Sequence, residues 1–274
     1  MTTTDLLRVP GATLYYEVRG TGPMLLISQS GEGDAQRSVD LVDQLIGDYT
    51  VVTYDRRGLS RSASGQGVTM AEHAEDVHHL LAVLTDEPVL MLGCSLGAVI
   101  GMHLAIRHPE QVSTLVAHEP VAPLLLPAAE RARHQQELAD IQQLYRRDGL
   151  APALKAVAEV LGIDPANPDA EQGLTPQPIN PQRIANFAFF IEHDFTAVIN
   201  DDLPTNALTE TTTRILPAAG RTTPRTVFDY RCAQELADLV GTQITEFPGG
   251  HNGNTSHPRA YASRLRETLR AAAS

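Results

Sequence analysis

Val89-Leu90-Met91-Leu92-Gly93-Cys94-Ser95-Leu96-Gly97 is the stretch on which the reading of this chain turns. Four apolar residues in a row suit a buried strand, and a Gly-x-Ser-x-Gly pattern follows at once. From Leu96 to Arg107 the sequence then reads as a helix. A serine between strand and helix, with glycine two positions away on each side, sits in a sharp turn. Glycine lets the backbone close on itself there, and the turn lifts the hydroxyl clear. The positive end of the helix dipole faces any negative charge that develops at the turn, and the Leu96 N–H becomes a candidate donor to it. A glycine-rich link between sheet and helix is the plainer alternative; the strand–turn–helix setting favours Ser95 as a nucleophile.

Outward from this stretch, short apolar runs alternate with helical patterns. Leu6 to Val9 and Thr13 to Arg19 read as two early strands, and Met24 to Ile27 and Val51 to Tyr54 as buried ones. Met70, Ala74, Val77, Leu81 and Leu84 recur at helical spacing, with Pro88 just beyond. Ser113 to Ala117 is a further strand. Buried strands alternating with helices predict an α/β protein with a mostly parallel sheet covered on both faces. From about residue 124 to 207 the rhythm changes to helices and Pro-rich links, which predicts a helical cap inserted into a core formed by 1–123 and 208–274. Strands at 214–216 and 243–247, a helix over 227–239 and a last helix from about 258 to 271 complete the core.

Composition narrows the classes. A length of 274 residues with 42% hydrophobic content supports a sizeable core, and no run approaches a membrane span. The start, Met1-Thr2-Thr3-Thr4-Asp5, lacks the pattern of a secretory signal, and two cysteines cannot make a disulfide framework, so a cytoplasmic location is expected. A net charge of −12 argues against nucleic acid or an anionic membrane as partner. No cofactor is expected and no metal-ligand spacing stands out; His78-His79 reads as a solvated pair on a helix. Self-association as a homodimer is left open.

A serine hydroxyl needs a base, usually a histidine held by an acid. His251 follows the strand at 243–247 and the turn Pro248-Gly249-Gly250, the place where a Ser…acid…His chain order puts the base. His257, beside Pro258, is the competitor and fits better as a start to the last helix. The loop after the 214–218 strand, Ala218-Ala219-Gly220-Arg221-Thr222-Thr223-Pro224, holds no carboxylate, and Asp229 lies further along in a helical stretch. One strand earlier, Glu119 emerges at the edge of the sheet that also carries Ser95, where ligand chemistry in open α/β sheets gathers. Glu119 is therefore the expected acid, orienting His251. A second oxyanion donor is expected from the backbone of Gln29 or Ser30, with Ser30 preferred. Asp55-Arg56-Arg57-Gly58 reads as a structural loop at the sheet edge. Phe187, Phe190 and Ile191 either line an apolar pocket or form a helix packing face.

These segments together resemble the α/β-hydrolase superfamily and, within it, the zearalenone lactone hydrolases. The similarity runs through Tyr15-Tyr16-Glu17, Gly20-Thr21-Gly22-Pro23, Gly93-Cys94-Ser95, His118-Glu119, Ala218 to Asp229 and Gly250-His251. The resemblance implies hydrolysis of the ester of a macrocyclic resorcylic lactone, with the acid at the position of Glu119. The chain has no tryptophan where that family uses one in its cap, and carries Gln29-Ser30 where the family has an acid and glycine. Two other readings keep the fold: a carboxylesterase for small linear esters, and a ligand-binding protein without turnover.

Overall fold

The computed structural model describes residues 2–64, 67–166 and 168–273. Eight strands form the path of one sheet: β1 (Thr2–Val9), β2 (Ala12–Gly20), β3 (Met24–Ser28), β4 (Thr50–Tyr54), β6 (Val89–Cys94), β7 (Val112–His118), β8 (Arg214–Gly220) and β9 (Thr245–Phe247). A two-residue strand, β5 (Ala63–Ser64), pairs with β2 outside that path. The order is β1-β2-β4-β3-β6-β7-β8-β9, antiparallel at the β1-β2-β4 end and parallel from β4 to β9.

Helices cover both faces. Those between strands are α1 (Val39–Leu45), α2 (Met70–Leu84) and α3 (Leu96–Arg107); those nearer the C-terminus are α8 (Phe228–Leu239), α9 (Gly253–Ser256) and α10 (Pro258–Ala273). Strand alternation divides the core. Leu26, Met91 and Leu115 face one cluster with α2 and α3, whereas Leu25, Ile27, Leu92 and Val116 face a second with α1 and α10. Both sides of the central strands are therefore dry, which is why they read as unbroken apolar runs rather than alternating ones. Helix α3 is buried along nearly its whole length, as its continuous apolar sequence requires. Thr69 and Glu72 form a reciprocal capping box that fixes the start of α2.

This is the α/β-hydrolase architecture expected from the sequence. The structure adds α1 and β5 to the elements read there, and the last strand begins at Thr245 instead of Gln243. Between β7 and β8 the described elements are all helical: α4 (Ala128–Asp148), α5 (Leu150–Val160), α6 (Pro181–Phe189), a π-turn over Phe190–Asp194, α7 (Phe195–Ile199) and two short 3₁₀ turns. Among the described residues no helix is long and apolar enough to cross a membrane. Both cysteines, Cys94 and Cys232, are free and buried.

Candidate active site

Parallel register brings the candidate residues to one edge. Ser28 pairs with Gly93, Cys94 with His118, and His118 with Ala218. The residues that follow, Gln29, Ser95 and Glu119, leave adjacent strands at nearly the same height. Hydrogen bonds extend the ladder one step further, from Ser95 N–H to the His118 carbonyl (2.8 Å) and from Glu119 N–H to the Ala218 carbonyl (2.9 Å).

Both Ser95 and Glu119 then adopt the left-handed backbone region, at φ 54° and 44°. Outside glycine this conformation costs of order 1–3 kcal/mol, and the surrounding packing has to impose it. At Ser95 the constraint is visible. A Cβ on Gly93 would meet Ala98 and the Gly97 carbonyl, and one on Gly97 would collide with the Ser28 carbonyl oxygen. The two glycines of the motif are needed because the start of α3 packs directly on strand and loop.

His251 Nδ1 lies 2.7 Å from Glu119 Oε2, and Glu119 Oε1 accepts the Gly220 N–H at 2.8 Å. Glu119 and His251 are both buried. Burial opposes ionisation of Glu119, but the hydrogen bond and charge of His251 more than offset this and hold its pKa below the usual carboxylate range. Burial likewise pushes His251 down, yet the bond and charge of Glu119, with a further contribution from Asp229, leave it above its ordinary value. With Nδ1 engaged, Nε2 is the nitrogen left for proton transfer. His118, beneath the site and edge-on to Phe247 and Tyr261, is kept neutral by burial, its pKa pushed down to about 4.

The loop after β3 is shaped from behind by Arg56. Its guanidinium donates to the carbonyls of Gln29 (3.4 Å), Ser30 (2.8 Å) and Gly31, and pairs with Asp194 at 2.9 Å. Because a trans peptide points its N–H opposite its C=O, holding the Gln29 carbonyl also fixes the direction of the Ser30 N–H. The Asp55-Arg56-Arg57 segment thus does more than satisfy backbone groups. Asp55 accepts from Ala35 N–H and binds Arg61, Arg57 pairs with Asp76 at 2.6 Å, and Arg56 reaches across to the helical insertion.

A narrow apolar cavity of about 30 Å³ opens at Ser95, lined by Val121, Leu138, Val157, Phe190, Phe195 and Phe228 among others. His134, Glu137 and Asp229 are its polar groups besides the serine. Of the three residues named from sequence for substrate contact, Phe190 lines this cavity, and its ring also lies against Gly31. Ile191 does not: it is fully buried in the main core, because the π-turn rotates it away from its neighbour. Phe187 does not either; it lies beneath the Arg183 guanidinium, 5.4 Å from charge to ring centre. Phe195 and Phe228 take the lining places instead.

Asp229 also departs from the sequence expectation. It is helical, as the second residue of α8, but it is not remote: Oδ2 lies 3.8 Å from His251 Nδ1 and Oδ1 lies 3.4 Å from His134 Nε2. His134, on α4, offered no signal in sequence beyond its place on a helix. His257 hydrogen-bonds Ser256 and faces Asp169 at 3.3 Å, and its carbonyl accepts the Tyr261 N–H at the start of α10. His78 is not a free solvated residue. Its ring stacks on His108 at 3.7 Å and 12°, and its Nδ1 faces Gln111 Oε1 at 3.0 Å. Glu75 completes a group of possible ligands, but parallel stacked rings direct their lone pairs along parallel lines, so a shared ion would lie well off both ring planes.

Comparison with known proteins agrees with this architecture. Residues 23–147 match the family model described as alpha/beta hydrolase fold. The chain is 36% identical to the uncharacterized hydrolase YraK of Bacillus subtilis (strain 168), over 96% of this chain and 94% of that protein. Among solved structures it is similar to an esterase from Exiguobacterium antarcticum (TM-score 0.76, 18% identity, 98% and 100% of the two chains). It is also similar to an enol-lactonase from Burkholderia xenovorans LB400 (TM-score 0.70, 19% identity, 97% and 100%). The chain belongs to the alpha/beta hydrolase family.

Proposed function

We propose that this protein is a serine hydrolase that cleaves a carboxylic ester or lactone through an acyl-enzyme, with Ser95 as nucleophile, His251 as base and Glu119 as the acid that orients it. The observation that carries this reading is the 2.7 Å contact from Glu119 to His251 Nδ1, at the sheet edge where Ser95 stands in its strained turn. In the first step His251 Nε2 takes the Ser95 Oγ proton as that oxygen attacks the carbonyl. The tetrahedral oxyanion is stabilised by the N–H of Leu96, which as the first residue of α3 has no acceptor within its helix, and by that of Ser30 or Gln29. Collapse expels the alcohol, protonated by His251; water, activated by the same ring, then releases the acid.

Substrate class follows from the cavity. Phe190, Phe195 and Phe228 favour an apolar or aromatic ester, and the helical insertion acts as the cap that selects it. The similarity of the motifs to zearalenone lactone hydrolases makes a macrocyclic resorcylic lactone the first candidate. The narrowness of the cavity favours a second reading, a carboxylesterase for small linear esters. Mass-spectrometric mapping after treatment with a fluorophosphonate tests the chemistry: an adduct at Ser95 is expected, and an unmodified Ser95 in folded protein rejects it. Comparing kcat/KM for zearalenone against p-nitrophenyl butyrate then separates the two substrates.

A further inference from the structure

The base at this site has two carboxylates beside it. Glu119 holds His251 Nδ1 at 2.7 Å, and Asp229 lies 3.8 Å from the same nitrogen. Asp229 is buried, sits in the first turn of α8, and its Oδ1 has no hydrogen-bond partner among the described residues. The group that answers its charge comes from the other side of the cavity. His134 of α4 is buried, with Nε2 3.4 Å from Asp229 Oδ1, an ion pair without hydrogen-bond alignment. Its Nδ1 is 3.2 Å from Glu137 Oε2, and its ring stacks on Phe228 at 4.7 Å.

We propose that His134 is a positioning residue for the catalytic base: as an imidazolium clamped between Glu137 and Asp229, it offsets part of the Asp229 charge that His251 feels, leaving Glu119 the dominant partner of the ring. This rests on the hydrolase reading above. The chain Glu119–His251–Asp229–His134–Glu137 runs from the sheet edge into the insertion, so the docking of α4 tunes the basicity of the site.

The surroundings of His134 are consistent with a fixed cation. On its own helix the facing charge is Glu137, and from α8 it is Asp229; the end of α5 with the residue after it, the π-turn and the start of α7 present Val157, Val160, Leu161, Phe190 and Phe195 to the same cavity. Farther out, Arg133 lies 5.8 Å from the Phe228 ring centre, and Glu130 on α4 meets Arg231 on α8 at 3.2 Å, which ties the two helices outside the cavity. Burial opposes the charge on His134, but its two carboxylates more than offset this and hold its pKa up at about 9. A histidine lodged this way stays charged while His251 titrates. Its removal leaves Asp229 with His251 as its nearest cation, which favours the protonated, inactive base.

The test is the pH dependence of fluorophosphonate labelling at Ser95, which needs no knowledge of the substrate. His134→Gln should be labelled roughly threefold to tenfold more slowly than wild type at pH 6, and within about twofold of it at pH 8.5. Asp229→Asn should shift the other way, with faster labelling at pH 6. Adding Asp229→Asn to His134→Gln should restore the lost rate at pH 6. A loss in His134→Gln that is equal at all pH values marks a purely structural role and overturns the proposal, as does an unshifted profile. If His134→Gln does not fold, the Asp229→Asn profile decides, and no acceleration at pH 6 overturns it. If wild type is not labelled at any pH, the hydrolase reading fails instead. Titration of His251 by NMR in wild type and Asp229→Asn then still tests the coupling, an unchanged midpoint counting against it.

Discussion

The sheet edge and the helical insertion meet at the same cavity, but they are built in opposite ways. At the edge, position follows from backbone. Parallel register fixes the heights of Gln29, Ser95 and Glu119, and backbone contacts at Gly93 and Gly97 leave the Ser95 turn little freedom. In the insertion, position follows from a few buried polar side chains. Asp194 takes both Arg56 and His73 (2.9 and 3.0 Å), Gln142 donates to the Ile191 carbonyl, and Asn186 bridges Ser60 and the Glu32 carbonyl. A backbone-built edge tolerates little change, which suits the chemistry proposed for it. A side-chain-docked insertion can be repacked without disturbing that edge.

This contrast can be broken from either side. The largest effect is expected at the edge. Glu119→Gln should lower kcat by roughly 10³–10⁴-fold with KM within about twofold, since the change leaves the ring held in the wrong tautomer. Steady-state kinetics on p-nitrophenyl butyrate measures this, and a greater loss in Asp229→Asn would reassign the acid. In the insertion, Asp194→Ala strands the buried Arg56 charge and should cost about 3–5 kcal/mol by urea unfolding, because the guanidinium stays buried without its countercharge. The same variant should also weaken turnover, since Arg56 shapes the loop that carries Ser30.

A smaller change is expected at the cavity wall. Phe190→Ala removes a ring lining the cavity and should raise KM several-fold, about 1–2 kcal/mol of lost binding, with little change in kcat. The last effect is a stability linkage. His134 has a folded-state pKa raised above its ordinary 6.5, to about 9. Its contribution is therefore complete below pH 6.5 and disappears as pH rises through 9. Wild type should lose of order 1–3 kcal/mol relative to His134→Gln across that window, measured by thermal unfolding at fixed ionic strength.

The legible parts of this molecule are those governed by local pattern. Apolar runs marked β3, β4, β6 and β7 because both of their faces are buried, and Leu96 to Arg107 read as a helix within its observed bounds. The seven residues of α1 were too short a periodic signal, and β5 shorter still. Glu119 could be chosen because the neighbouring loop lacks an acid, a fact visible in sequence. Phe187, Phe190 and Ile191 could not be sorted, since a π-turn changes which side of a helix each residue faces. Asp229 lies well past the end of its strand along the chain, yet the first turn of α8 folds back against His251.

The sequence by itself determined the strand–turn–helix at Ser95, the glutamate that ends the neighbouring strand, and a helical insertion rich in phenylalanine. These depend on neighbours in the chain: periodicity, glycine at fixed offsets, and the residue that ends each strand. Only the tertiary structure decided that Arg56 cradles the oxyanion loop, that Phe195 and Phe228 wall the cavity, and that His134 and Asp229 meet next to His251. Charge pairs of this kind join residues about a hundred positions apart, and their strength comes from burial that no local pattern records.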